Sequence, residues 1–259
     1  IKTEYSNEKL GKSIKFFPLL GLIVGLILFG ASIIFCKLVG MEPLQRQIVA
    51  LLIILVEIFV VGIIHLDGLA DTFDALFSYA TKDKMLEIMK DSRLGSNGAL
   101  ALILYFLIKF VLLYSLLMED QGETVFAVLT YPVVARLCSV ISCASAPYAR
   151  GSGMGKTFVD NTKAKEVVIA SLITVVYSSA MLFYMINSSL SLELPLDFVM
   201  MRLGINLLII AILGLFAFSF SKLIERKIGG ITGDTLGALL EISSLVYLFL
   251  IIVVPTFFL

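Results

Sequence analysis

Seven runs of apolar residues, each about twenty long, limit what this chain can fold into: roughly 16–38, 47–66, 99–118, 124–146, 166–187, 198–220 and 236–258. A helix rises 1.5 Å per residue, so about twenty residues cross a hydrocarbon layer about 30 Å thick. Lipid offers no partner to an unpaired backbone N–H or C=O, so such runs must be helices. Composition agrees. Hydrophobic residues make up 59% of the 259 and mean hydropathy is +1.02, whereas a soluble domain is about 45–50% apolar. The expected fold is all-α: a polytopic membrane helix bundle of about seven transmembrane helices in a single domain spanning 1–259.

The loops set the orientation. Of 20 Lys and Arg, 15 lie at one end of the bundle: Lys2, Lys9, Lys12 and Lys15; Lys82, Lys84, Lys90 and Arg93; Arg150, Lys156, Lys163 and Lys165; Lys222, Arg226 and Lys227. Lys37 and Arg46 lie at the other end. Cytoplasmic loops carry the excess of basic residues, so the N-terminus is expected in the cytoplasm and the C-terminus outside. The long connections, about 67–98, 147–165 and 221–235, then form a cytoplasmic active-site face. The chain begins at Ile1, which suggests a further N-terminal segment, and no cleavable signal peptide is visible. Acidic and basic residues balance at 20 each, so a nucleic-acid partner is not expected. Cys36, Cys138 and Cys143 lie in apolar stretches, which suggests neither a disulfide framework nor a zinc site.

The most informative polar stretch runs His65-Leu66-Asp67-Gly68-Leu69-Ala70-Asp71-Thr72-Phe73-Asp74. Asp67, Asp71 and Asp74 fall at i, i+4 and i+7, one face of a helix. Like charges there repel unless a cation sits among them, and Mg2+ is held by one or two carboxylates plus substrate phosphates. Glu87 and Asp91 repeat the spacing, followed by Ser92 and Arg93, so two acidic faces could share one Mg2+ cage beside an arginine fork. The competing reading is a solvated helix face at the membrane boundary. His65 alone reads equally as a boundary residue, a ligand or a base.

Glu57, Lys109 and Arg136 fall deep within spans, where each costs about 2.5–3.5 kcal/mol unless it turns inward and pairs. Glu57 with Lys109 is the structural pairing; alternatively Arg136 reaches a cytoplasmic cavity and binds an anion. Asp234 and Glu241, seven apart, follow the glycine-rich Gly229-Gly230-Ile231-Thr232-Gly233, which could offer backbone N–H groups to phosphate or simply cap a helix. The run Gly151-Ser152-Gly153-Met154-Gly155-Lys156-Thr157 is not a nucleotide phosphate loop, because Arg150 stands where the first glycine is needed. It reads as a basic loop that could close over a substrate.

Together these residues resemble one family closely, cobalamin synthase, or adenosylcobinamide-GDP ribazoletransferase. The matching blocks are HLDGLADTFDAL (65–76), KMLEIMKDSRLGSNGALAL (84–102), YPVVARL (131–137), GSGMGKTF (151–158) and GGITGDTLGALLE (229–241). Ala75 and Leu94 stand where many members carry glycine and isoleucine. The resemblance implies an integral membrane transferase of a substituted phosphate group. It would join adenosylcobinamide-GDP to α-ribazole or its 5′-phosphate, releasing GMP, with Mg2+ as cofactor, at the inner membrane of the cell. Expected partners are those substrates, the lipid bilayer and, left open, a homo-oligomer. The expected roles are Asp67, Asp71, Asp74, Glu87 and Asp91 as metal ligands, with Asp74 also a candidate general base. His65 would orient Asp67, and Ser92, Arg93, Arg136, Lys156, Asp234 and Glu241 would bind substrate, with Asp234 and Glu241 alternatively a second ligand group. The rival reading is a secondary transporter with an ion path through Glu57, Lys109, Arg136 and Glu241. A multi-histidine zinc protease is excluded by the single histidine.

Overall fold

The structure is a computed structural model that describes residues 7–118, 121–153, 155–189 and 195–257. Lys2, Met154 and the last residue of the expected seventh span lie outside the described residues. Eleven α-helices occur among those described, and no strand: α1 Asn7–Lys12, α2 Phe17–Val39, α3 Pro43–Val61, α4 Ile64–Leu76, α5 Lys82–Ile88, α6 Ser96–Met118, α7 Gln121–Ser145, α8 Lys156–Asn161, α9 Ala164–Ser189, α10 Leu196–Ile228 and α11 Gly233–Val253. Seven of these are long and apolar enough to cross a membrane.

Three boundaries differ from the expected ones. The second span stops at Val61, because Gly62 takes φ +77° and breaks the helix before α4 begins. The acidic stretch is therefore a separate helix and not the tail of a span. The sixth span continues through the expected 221–235 connection as far as Ile228. Lys222 pairs with Glu225 at 2.9 Å on its surface, Arg226 and Lys227 complement the C-terminal dipole, and Gly229 ends it in the left-handed conformation. The seventh span leaves α-helix at Val253 and finishes in a 3-10 turn.

α7 is the axis of the bundle. Some 89% of its membrane window is buried, against 22% for α3 and α9, and α2, α9, α10 and α11 all pack on it. Lipid is as apolar as leucine, so helices associate in a membrane through close packing and interhelical hydrogen bonds. Gly21 and Gly25 of α2, spaced four apart, supply the close packing. A Cβ on Gly25 would lie 2.6 Å from the Leu129 carbonyl oxygen, and one on Gly21 would collide with the backbone at Pro132. Polar ties supply the rest: Thr130 with Tyr247 at 2.6 Å joins α7 to α11, Ser221 donates to Ser142 at 2.7 Å, and Asn206 to Ser178 at 3.0 Å.

The crossing of α2 and α7 yields a paired prediction. Gly21→Ala should lower stability by about 1–3 kcal/mol through overpacking. Gly30→Ala, on the same helix with open space around it, should be neutral or stabilising by up to about 1 kcal/mol. Thermal melting in detergent reads both; equal effects would mean that the α2–α7 contact is not tight.

Candidate active site

α4 is pressed against the first half of α11, and two glycines set the distance. A Cβ on Gly68 would lie 2.7 Å from the Asp234 carbonyl oxygen, and one on Gly237 would lie 3.1 Å from the His65 Cα. The helices therefore cross with backbones nearly touching, which brings Asp234 into the group formed by Asp67 and Asp71. Asp67 is exposed and Asp71 half-buried. Burial, then the carboxylates of Asp67, Asp234 and Asp74, push the Asp71 pKa up to about 7, against the opposing pull of Arg150. An ionised Asp71 is thus held in a field that disfavours it.

Asp74 does something different from the role expected of it. Its Oδ2 accepts the Gly95 N–H and its Oδ1 the Gly98 N–H, both at 2.8 Å. These amides belong to the start of α6, whose first turn has no donors' partners of its own. Asp74 caps that helix from α4 and fixes the two elements together, and a Cβ on Gly95 or Gly98 would strike its carboxylate.

The second acidic pair does not join the first. Glu87 is exposed and pairs with Lys84 at 2.9 Å. Asp91 accepts from Arg93 Nε and Nη2, the latter at 2.6 Å, and these bonds hold its pKa down to about 2. Both line an open basin of about 300 Å³ with Lys84, Lys90 and Arg93. Ser92 is exposed beside them. Among the described residues no three His, Cys, Asp or Glu side chains converge as a metal cage. The expected joining of Glu87 and Asp91 to the α4 carboxylates is thus absent from the structure, since adjacent cations already neutralise both. Lys156 sits on α8 with its charge on Asp160, 3.0 Å away.

Arg136 and Glu241, expected at the substrate, lie inside the bundle. Lys109, 1% exposed, meets Glu57 at 2.6 Å and donates to the Tyr105 hydroxyl at 2.6 Å. Tyr105 in turn donates to Glu241. Lys109 also stands over the Tyr131 ring, 5.2 Å from its centroid. Arg136 donates to the Pro132 carbonyl at 3.0 Å, within electrostatic reach of both Glu57 and Glu241. Two acids and two bases thus form a neutral buried quartet. The cavity beside it holds about 10 Å³, room for a single water. His65, expected to orient Asp67, points to Glu241 instead, Nδ1 to Oε1 3.9 Å. Burial, then Arg136, bring its pKa down to about 4, so the imidazole is neutral at pH 7.

Sequence reasoning missed Tyr105, Tyr131 and Arg150. A lysine at mid-span needs partners, and Tyr105 lies one turn away at i−4, which is a usable signal. Arg150 carries no such signal, because it meets Asp234 at 2.8 Å only through the tertiary fold.

Comparison with known proteins bears on what this end of the bundle does. The profile of the cobalamin-5-phosphate synthase family matches residues 1–252. An adenosylcobinamide-GDP ribazoletransferase from Fusobacterium nucleatum is 59% identical over 99% of this chain and 93% of its own length. Proteins of the same description from Clostridium acetobutylicum and Caldanaerobacter subterraneus are 36% and 37% identical, each over 95% of this chain and over 87% and 89% of their own lengths. No solved structure matches.

Two predictions follow from the charges. Lys109→Met leaves two buried carboxylates facing one cation and should cost about 3–5 kcal/mol, while the double change Glu57→Gln with Lys109→Met should recover part of that loss; melting of the three proteins in detergent measures it. Asp71 has a raised pKa in the fold, so its ionisation opposes folding: stability is intact below about pH 4 and is lost progressively as pH rises to about 7. Asp71→Asn should therefore raise the melting temperature more at pH 8 than at pH 5 in chelator. The gain should be about 1–2 kcal/mol at pH 8 once solvent screening is allowed for, and a gain independent of pH would refute the assignment.

Proposed function

The chain belongs to the cobalamin-5-phosphate synthase family, and from that premise we propose that it joins adenosylcobinamide-GDP to α-ribazole or its 5′-phosphate, releasing GMP. Membership makes it a multi-pass membrane transferase of cobalamin synthesis. The observation that best supports the finer reading is that Asp67 and Asp234 lie within electrostatic reach of Asp71, with Arg150 paired to Asp234, at one end of the bundle.

The reaction moves a phosphoryl group from a diphosphate to a ribose hydroxyl. Little covalent chemistry is asked of the protein; it must hold anionic groups in line and accept one proton. Mg2+ takes one or two carboxylates plus phosphate oxygens, and crowded carboxylates that resist ionising without a counter-charge suit such an ion. One or two of Asp67, Asp71 and Asp234 would hold it together with phosphate oxygens of the substrate, since among the described residues no three acids converge as a cage on their own. When bound it would neutralise diphosphate charge and polarise phosphorus. Asp71, half-buried among these carboxylates, is suited to take the hydroxyl proton. Asp74 serves the reaction by tying α4 to α6.

We place this end in the cytoplasm, in a chain embedded in the cell membrane with its N-terminus inside. The support is the basic excess around the acids: Lys82, Lys84, Lys90, Arg150 and the cations closing α10.

The test is GMP release by purified protein in liposomes, with adenosylcobinamide-GDP, α-ribazole and Mg2+. Chelator should abolish release and added Mg2+ restore it, and Asp71→Asn should lower kcat by about 100-fold or more. Wild-type turnover in chelator, or by the Asn variant, would remove the metal and Asp71 from the mechanism.

A further inference from the structure

Three arginines near the ends or axis of the bundle have defined hydrogen-bond partners. Arg46 donates to the Met41 and Leu117 carbonyls, Arg93 forks onto Asp91, and Arg136 donates to Pro132 within the quartet. Arg150 differs. Its side chain is 15% exposed and its Nη2 lies 2.8 Å from Asp234 Oδ2. Yet Nε and Nη2 are both buried with no hydrogen-bond acceptor. The carboxylate is close enough to attract the charge but is not aligned with the N–H bonds, and a hydrogen bond weakens steeply off axis.

The unpaired edge has a specific shape. Nε–H and the outward Nη2–H are parallel, the edge that meets two oxygens of a carboxylate or phosphate side by side. A buried donor of a charged group left without an acceptor costs free energy, and Arg150 is held in that state by backbone. Ile231 donates to the Pro147 carbonyl at 2.8 Å and Ala149 to the Ile231 carbonyl at 2.9 Å. This short ladder plants the residue at the head of α11, beside Asp234 and within the field of Asp71.

We propose that Arg150 grips the diphosphate of the donor side-on, through Nε and Nη2, while Asp234 fixes the guanidinium by charge. The ligand class is a nucleoside diphosphate ester, and the inference rests on the transfer reading above. In that step the ribose hydroxyl oxygen bonds to the phosphorus borne by cobinamide. The bond from that phosphorus to the bridging oxygen breaks, its electron pair stays with the GMP phosphate, and the hydroxyl proton passes to Asp71. Negative charge grows on the departing phosphate, and the two N–H bonds of Arg150 go to the oxygens of that group.

Arg150→Lys keeps the charge on Asp234 but loses the fork; Arg150→Gln loses both. GMP release in Mg2+-containing liposomes, with each substrate varied in turn, gives KM and kcat, and equilibrium dialysis gives GMP affinity directly. In the Lys variant the donor KM should rise and GMP binding weaken, each by about 10-fold or more, with the α-ribazole KM and the melting temperature unchanged. The Gln variant should lose more of both. Donor KM and GMP affinity within twofold of wild type in both variants would overturn the proposal. So would a fall in melting temperature with both substrates' KM values shifted together, since that marks a residue that only orders its loop. If the wild type releases no GMP from the donor, the transfer reading fails; GMP binding that still depends on Arg150 would then uphold the phosphate grip alone.

Discussion

Four charges buried in the middle of the bundle must cancel, and the arrangement of the spans follows from that requirement. Lys109 is enclosed on α6, Glu57 faces it from α3, Glu241 reaches it through Tyr105 from α11, and Arg136 completes the set from α7. Hydrocarbon gives no solvation to an unpaired ion, so each helix carrying one charge is obliged to present it to the others. The quartet therefore determines which faces of α3, α6, α7 and α11 meet. Tyr105 and Tyr131 spread the lysine charge over hydroxyl and ring and exclude all but about one water.

The acidic helix rests on this frame. His65, at its start, turns its imidazole to Glu241; Gly68 and Gly237 let its backbone ride against α11; Asp74, near its end, seizes the first amides of α6. The glycine crossing and the Asp74 cap leave Asp67 and Asp71 projecting from a fixed helix. Stability and chemistry are therefore divided along one helix. The carboxylate with two amide partners holds the scaffold, and the carboxylate crowded by like charges is the one the proposed transfer would use. A catalytic group placed on a fixed helix gains more from orientation than one placed on a loop.

Much of this was legible beforehand. Span number came from run length, because backbone groups cannot go unpaired in lipid. The pairing of Glu57 with Lys109 came from the cost of burial, which leaves a mid-span cation few alternatives. The helical face shared by Asp67, Asp71 and Asp74 came from the 3.6-residue period. Other assignments did not survive contact between elements. Arg136 and Glu241 carry the same residue types as a phosphate site, yet their depth commits them to the quartet. Glu87 and Asp91 have the spacing of ligands, yet Lys84 and Arg93 stand close enough to neutralise them. Asp234 was visible as a helix-start residue, but its partnership with Asp71 spans more than 160 positions and leaves no periodic trace.

The amino-acid order alone determined that the chain is a helical membrane protein, where its spans run, which end gathers positive charge and which family it resembles. Each of these depends on local composition or on a contiguous motif. Only the tertiary structure decided which acids lie together and which are spent on caps and ion pairs, and it alone revealed the unpaired edge of Arg150. Those outcomes depend on distances between helices far apart in sequence, set by glycine crossings and buried charge, and a carboxylate has no fixed role until its neighbours in space are known.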